Sequence, residues 1–258
     1  MEPLVNVAVQ LARQAGDFIR RNQDQVAFLE VKPNLKHSDS TIIDVQAENI
    51  IIQGIRKKFP KHNILSEECG MIDNQSETTW IIDPLDGTKN FLHGIAHFAI
   101  SIAIQVKNSL EHAIIFDPMR HECFSASRGR GAQLNNRRIR VGKNNSIEQA
   151  LIGLGKVVKS AHNSKEVCNL LNFSQQLTST RKMGCASLDL AYVACGRLDG
   201  FIAANMNDWD CAAGILMVQE SGGVVTDFIG EPQNLPNQQI LASNIKINKI
   251  WLEKAALA

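Results

Sequence analysis

Twelve consecutive residues, Trp80-Ile81-Ile82-Asp83-Pro84-Leu85-Asp86-Gly87-Thr88-Lys89-Asn90-Phe91, constrain this chain more than any other stretch. Trp80 to Ile82 has the make-up of a short strand. Asp83-Pro84 is expected to break it, because proline has no N–H to donate and biases the preceding residue away from helix. Two carboxylates, Asp83 and Asp86, follow in the turn. Gly87-Thr88 permits a tight backbone whose N–H groups can face an anion. Hard oxygen donors at the mouth of a strand, beside an anion-binding turn, suit Mg²⁺ and phosphate. Asp, Pro and Gly are also ordinary turn residues, so Asp-Pro-x-Asp-Gly alone fits a plain surface turn equally well. Thr88, Asn90 and Phe91 extend the pattern beyond a common turn.

The rest of the chain sets the frame. Its 258 residues suffice for one large α/β unit or two intimate halves. Hydrophobic residues at 44% and charged residues at 21% are ordinary for a globular protein, and the net charge of +1 gives no global field for nucleic acid or membrane. The apolar runs fall short of the roughly 20 residues that a membrane span needs. Met1 to Arg21 is not a signal peptide: Glu2 comes first, and Leu4, Ala8, Leu11, Ala15 and Ile19 form one helical face. The six cysteines include no Cys-x-x-Cys pair and no zinc-type spacing with histidine. Their even number permits disulfides, but reduced, mostly buried thiols in a cytosolic protein are the favoured reading.

Along the chain, the first helix is expected to end near Asn22 to Gln25, and Val31 to Ser40 reads as a loop. Thr41-Ile42-Ile43-Asp44 has the form of a capping box opening a second helix, which Pro60 closes. A strand, Asn63 to Leu65, leads into Ser66-Glu67-Glu68. After Phe91 comes a loop, then strands at Phe98–Val106, Glu111–Asp117 and His121–Ala126 and a meander ending at Val141. This implies a largely antiparallel sheet flanked by the first two helices. Arg128, Arg130, Arg137, Arg138, Arg140 and Lys143 admit a nucleic-acid patch, but no aromatic residues interleave for base stacking, so a solvated hairpin surface is favoured. From Ala150 strands and helices alternate: strands at Ala150–Leu154, Asp199–Ala203, Val224–Asp227 and Gln239–Ala242, and helices at Asn163–Leu177, Ser187–Cys195, Trp209–Glu220 and from Lys246 on. The composition shift near Asn144 divides the chain into an N-terminal subdomain, 1–143, and a C-terminal one, 144–258, sharing one cleft.

The stretch from Asp83 to Phe91 resembles the first motif of the inositol monophosphatase family, Asp-Pro-x-Asp-Gly-Thr-x-Asn-Phe. Trp209-Asp210-Cys211-Ala212-Ala213-Gly214 stands where that family has its second motif, and Glu67-Glu68 supplies the acidic pair before the first. Within the family, Asp117-Pro118-Met119-Arg120, Gly131-Ala132-Gln133-Leu134-Asn135 and Leu188-Asp189-Leu190-Ala191-Tyr192-Val193-Ala194 look most like a bacterial branch, the SuhB type.

The resemblance implies an α+β fold, a layered αβαβα sandwich, and Mg²⁺-dependent, Li⁺-inhibited hydrolysis of a small polyol phosphate such as inositol 1-phosphate by an activated water. It implies two or three Mg²⁺ ions per site: Glu67, Asp83 and the backbone oxygen of Leu85 as ligands of one, and Asp83, Asp86 and Asp210 of another. Gly87 and Thr88 match the phosphate cradle, Thr88 with Glu67 would orient the water, and Asp44 would support Thr88. Gly184, Cys185 and Ala186, with Arg181 shortly before them, match a segment lining the substrate site. A homodimer in the cytoplasm is the family expectation, and the SuhB branch adds RNA polymerase and Nus factors as partners. A sugar bisphosphatase or 3′-phosphoadenosine nucleotidase of the same fold is a rival. Departures keep the substrate open. Ala203 stands where many members have a substrate-contacting glutamate, Lys89 where many have threonine, and Gly153-Leu154-Gly155-Lys156 replaces a more aromatic pattern. The family's loop lysine is either Lys32 or Lys36.

Overall fold

The computed structural model describes residues 3–23, 42–156, 177, 179–233 and 239–257. Helix α1, Pro3–Asn22, buries Ala8, Leu11, Ala12, Ala15 and Ile19 on one stripe and carries Arg20 and Arg21 in its last turn, where they complement the helix dipole. Helix α2, Ile42–Lys58, buries Ile43, Ala47, Ile51 and Ile55 and likewise ends in Arg56, Lys57 and Lys58. Thr41, Lys32, Lys36 and the expected helix at Asn163–Leu177, except Leu177 itself, lie outside the described residues, as does Cys168. The other five cysteines are free thiols, Cys123, Cys185 and Cys211 being buried.

An eight-stranded sheet follows: β1 (Asn63–Ser66), β2 (Gly70–Ile72), β3 (Thr78–Asp86), β4 (Ala99–Val106), β5 (Ser109–Asp117), β6 (Glu122–Ser127), β7 (Gly131–Leu134) and β8 (Arg137–Arg138), in the order β2-β1-β3-β4-β5-β6-β7-β8. Within this sheet only β1 and β3 pair in parallel. Between β3 and β4 runs α3, Thr88–Leu92, a single turn where the sequence suggested only loop. A second sheet, in the order β10-β9-β11-β13-β12, combines β9 (Leu151–Leu154), β10 (Ser179–Arg181), β11 (Gly200–Ala204), β12 (Val224–Thr226) and β13 (Gln239–Ser243). Three further helices are α4 (Ala186–Ala194), α5 (Asp208–Glu220) and α6 (Ile245–Leu257).

Period-two alternation in the strands builds the layers. Trp80, Ile82, Ile100, Ile102, Ile114 and Phe116 face α1 and α2 in one core. Ile81, Ala99, Ala103, Ala113 and Ile115, on the opposite face of the same strands, meet α4 and α5. The other side of that helical layer takes Phe201, Ala203, Ile240 and Ala242 of the second sheet. The outer face of that sheet, Ile152, Ile202 and Leu241, covers Ile247 and Trp251 of α6. The result is the αβαβα sandwich. Buried Leu- or Ile-sized side chains each stabilise it by about 1.5–3 kcal/mol. No helix among the described residues is long and apolar enough to cross a membrane.

The Arg-rich meander is a surface hairpin. Arg137 and Arg138 are exposed, Arg128 donates to the Leu110 carbonyl at 2.7 Å, and Glu220 accepts the N–H groups of Gly129 and Gly131 at 2.8 Å each.

Candidate active site

The expected break at Asp83-Pro84 takes another form: β3 continues to Asp86 through a register irregularity against β4 between Asp83 and Asp86. Pairing is suspended across the proline, so its missing N–H leaves no ladder partner unmet. The start of the strand is fixed by Trp80, wholly buried, whose indole N–H donates to Nδ1 of His62 at 3.1 Å. Burial lowers the His62 pKa, which keeps that nitrogen an acceptor. The bulge turns Asp83 into the protein, where its Oδ1 accepts the Leu85 N–H at 3.0 Å.

Gly87 follows with φ of 95°, and a Cβ there would stand 3.0 Å from the His97 carbonyl oxygen, so this position needs glycine. It opens α3, which places the Thr88 hydroxyl 3.0 Å from both Asp44 Oδ1 and the Leu85 carbonyl oxygen. Asp44, in the first turn of α2, is buried. Asn90 closes the segment: its amide donates to the carbonyls of His97 and Met183, both at 2.8 Å, tying the first sheet to the chain 93 residues on.

The second half supplies the opposite wall. Ser187, at the start of α4, donates its N–H and hydroxyl to Asp86 Oδ2 at 2.7 and 2.6 Å, and the Cys185 thiol reaches the same oxygen at 3.2 Å. Burial and Asp86 hold the Cys185 thiol well above its usual pKa, so it remains a donor. Asp210 lies in the first turn of α5 and accepts the Asn207 N–H at 2.9 Å. Gly214 lets α5 approach α4: a Cβ there would stand 2.4 Å from Leu190 Cδ1.

Glu67, Asp83, Asp86 and Asp210 meet electrostatically. Burial first, then Asp210, Glu68, Asp86 and Asp44, push the Glu67 carboxyl up to about 8. Burial, then Glu67, Asp86 and Asp210, hold Asp83 well above the usual carboxylate range. Burial raises Asp210 to about 6, with Asp86 adding to the shift. Burial also raises Asp86, and the Ser187 and Cys185 hydrogen bonds oppose it. Among the described residues, no three His, Cys, Asp or Glu groups converge closely enough to hold an ion as they stand. Asp83 is buried and Glu67, Asp86 and Asp210 are half-buried; they are hard, mutually repelling oxygen donors, the chemistry that fits a divalent cation of the Mg²⁺ kind.

The Inositol monophosphatase family model matches residues 1–257. The chain belongs to the inositol monophosphatase family. It is 44% identical over 259 residues to the Nus factor SuhB of Pseudomonas aeruginosa, covering 98% of this chain and 95% of that protein. The structure of the extragenic suppressor protein suhB from Bartonella henselae superposes with a TM-score of 0.90 at 39% identity, covering 98% of each chain. An inositol monophosphatase from Anabaena gives 0.85 at 30% identity, over 99% of this chain and 96% of that one.

Part of the motif residues line a cavity of about 580 Å³, namely Asp86, Asp210, Gly184, Cys185 and Ala186; Glu67, Asp83, Leu85, Gly87 and Thr88 are not among its lining residues. Arg181 is elsewhere: it is exposed and lines a separate cavity with Arg120, Glu122 and Arg197. Lys182, the next residue, lines the cleft instead. Ala203 is wholly buried against the α4–α5 layer and is not among the residues lining the cleft; a Cβ on Gly155, which does line it, would come within 2.7 Å of the Ala203 Cβ. Sequence reasoning missed Asp189 as a cleft residue and gave no site role to Lys89, Lys156 or Lys182. Asp189 is 1% exposed, and neither of its carboxylate oxygens has a hydrogen-bond partner among the described residues. Burial, with Asp86 nearby, pushes it up to about 8. An aspartate inside an otherwise apolar helix was the only signal the sequence offered.

Proposed function

We propose that this protein is a Mg²⁺-dependent phosphomonoesterase acting on a small phosphorylated polyol, with inositol 1-phosphate as the first substrate to try. The observation that carries this reading is the set of four mutually repelling carboxylates, Glu67, Asp83, Asp86 and Asp210, brought within electrostatic reach of one another from β3, the end of β1 and the start of α5. Glu67, Asp83 and the Leu85 carbonyl would hold one ion, and Asp83, Asp86 and Asp210 a second. Bound Mg²⁺ supplies positive charge for the phosphoryl oxygens and lowers the pKa of an attacking water.

The chain's own groups do the rest. Gly87 and Thr88 offer backbone N–H groups to the phosphate. With the Thr88 hydroxyl donating a hydrogen bond to Asp44, its lone pairs are left to accept one of the attacking water's hydrogens. Glu67 would take the other. Gly184, Cys185 and Ala186 line the wall against which the alcohol part of the substrate packs. The division into 1–143 and 144–258 belongs to the same proposal, since the two segments supply opposite walls. The test is phosphate release from inositol 1-phosphate and a panel of other monoesters, with Mg²⁺ and with a chelator. Release that persists in the chelator contradicts the reading.

The name of the 44%-identical relative supports a second reading: a Nus-type factor that binds RNA polymerase and Nus proteins in the cytoplasm and for which hydrolysis is secondary. Rescue of a deletion strain by an inactive Asp83→Asn protein separates the two, because full rescue means that catalysis is not the essential task. Homodimer formation, checked by light scattering, is compatible with either.

A further inference from the structure

Helix α2 carries two buried acidic residues among its apolar ones. Asp44 and Glu48 stand four residues apart, so they share one face of the helix, and they are 1% and 3% exposed. Buried polar groups of this kind need partners, and here the partners lie in two different segments. Asp44 Oδ1 accepts the Thr88 hydroxyl at 3.0 Å. Glu48 Oε1 accepts two successive backbone N–H groups, those of Glu68 and Cys69, at 3.1 Å each.

Those two donors belong to the loop that carries Glu67. β1 and β2 form a hairpin with Ser66 opposite Gly70, so Glu67, Glu68 and Cys69 are its three loop residues. Gly70 has the left-handed φ of 73° that closes a loop of this length. The Glu67 N–H donates to the carbonyl of Ile82 at 3.2 Å, the residue before Asp83. The loop backbone is therefore held on both sides: by β3 at its first residue and by α2 at the next two. Without Glu48, the N–H groups of Glu68 and Cys69 would lose their acceptor, and the loop would rearrange to find another. The Glu67 side chain would move with it.

We infer that Glu48 is a positioning residue for metal binding: by holding the Glu68 and Cys69 N–H groups it fixes the loop that keeps Glu67 within reach of Asp83. One face of α2 then sets two segments of the site at once, the Glu67 loop through Glu48 and the Thr88 turn through Asp44. This rests on the phosphatase reading, with Glu67 and Asp83 as ligands of one ion, and adds to it a residue that touches neither ion nor substrate.

Two substitutions of Glu48 and one control test it. Glu48→Asp keeps the carboxyl and shortens its reach by one methylene; Glu48→Gln keeps the reach and an acceptor oxygen. The readouts are calorimetric titration with Mg²⁺ and the Mg²⁺ concentration that gives half-maximal phosphate release. Glu48→Asp should weaken Mg²⁺ binding about tenfold or more, the usual cost of losing a group that orients a ligand. Glu48→Gln should stay within about threefold of the wild type. At saturating Mg²⁺ the KM of Glu48→Asp should match the wild type, because Glu48 does not touch Gly87 or Thr88. Ile55, wholly buried about two turns further along α2, supplies the control: Ile55→Ala should lower the denaturation midpoint and leave Mg²⁺ affinity unchanged. Unchanged affinity in Glu48→Asp, an equal loss in Glu48→Gln, or an equal loss in Ile55→Ala overturns the inference while leaving the phosphatase reading intact. A wild-type protein that binds no Mg²⁺ refutes that reading and the inference with it. Binding weakened in Glu48→Asp alone supports the inference even if no phosphomonoester tried is hydrolysed.

Discussion

Ser187 gives both its backbone N–H and its hydroxyl to one carboxylate oxygen of Asp86, at 2.7 and 2.6 Å, across a sequence separation of 101 residues. These hydrogen bonds favour the charged form of a carboxylate that burial would otherwise keep protonated. They also lock α4 of the second half onto the Asp83–Phe91 segment of the first.

Ser187→Ala removes the hydroxyl and keeps the N–H. Asp86 should then titrate higher, moving the acid limb of the activity profile up by about one pH unit and lowering stability by about 1–3 kcal/mol. A pH–rate profile at saturating Mg²⁺ checks this. An acid limb in its original place would mean that the hydroxyl does not tune Asp86.

Stability without metal should depend on pH in a stated direction. The Glu67 carboxyl is raised from 4.5 to about 8, and Asp83 and Asp210 are raised as well. Between these limits the folded protein binds more protons than the unfolded one, so stability falls as pH rises from about 4.5 to about 8. Mg²⁺ binds the deprotonated groups and restores stability by mass action, more at pH 8 than at pH 6. Urea unfolding in a chelator, repeated with Mg²⁺, measures both. Metal-free stability that climbs through this window would contradict the assignment.

Asn90→Ala breaks the amide link from the first sheet to Met183. It leaves two carbonyls, those of His97 and Met183, without that donor. A loss of about 1–3 kcal/mol is expected, with a raised KM as the segments carrying Lys89 and Lys182 loosen. An unchanged denaturation midpoint and KM would show that the link does not hold the cleft together.

The family motif was legible because its members are nearly consecutive and chemically unusual: Asp83, Asp86, Gly87 and Thr88 stand in one turn. Long apolar elements such as β4, β5 and α5 were legible from periodicity for the same reason of local sufficiency. What reached the cleft through packing was not. Asp189 lies in a helix that reads as core, and only the meeting of α4 with β9 sets it beneath the cavity. Arg181 and Lys182 show how little separates the two cavities: successive residues leaving an extended strand point to opposite sides, so one step along the chain exchanges the cleft for another cavity. The five-residue α3 is shorter than any window in which helical periodicity can be seen. The Pro84 signal was real, but a bulge absorbed it rather than a strand end.

The most direct test of the central claim compares phosphate release by the wild-type protein and by Asp83→Asn, each with and without Mg²⁺. Asp83 is 2% exposed, and on the proposed reading it would serve both ions. The account predicts turnover that needs Mg²⁺ and that Asp83→Asn abolishes, while the metal-free variant folds at least as stably because a buried repelled charge is gone. Turnover near wild type in Asp83→Asn, or turnover indifferent to Mg²⁺, would contradict it.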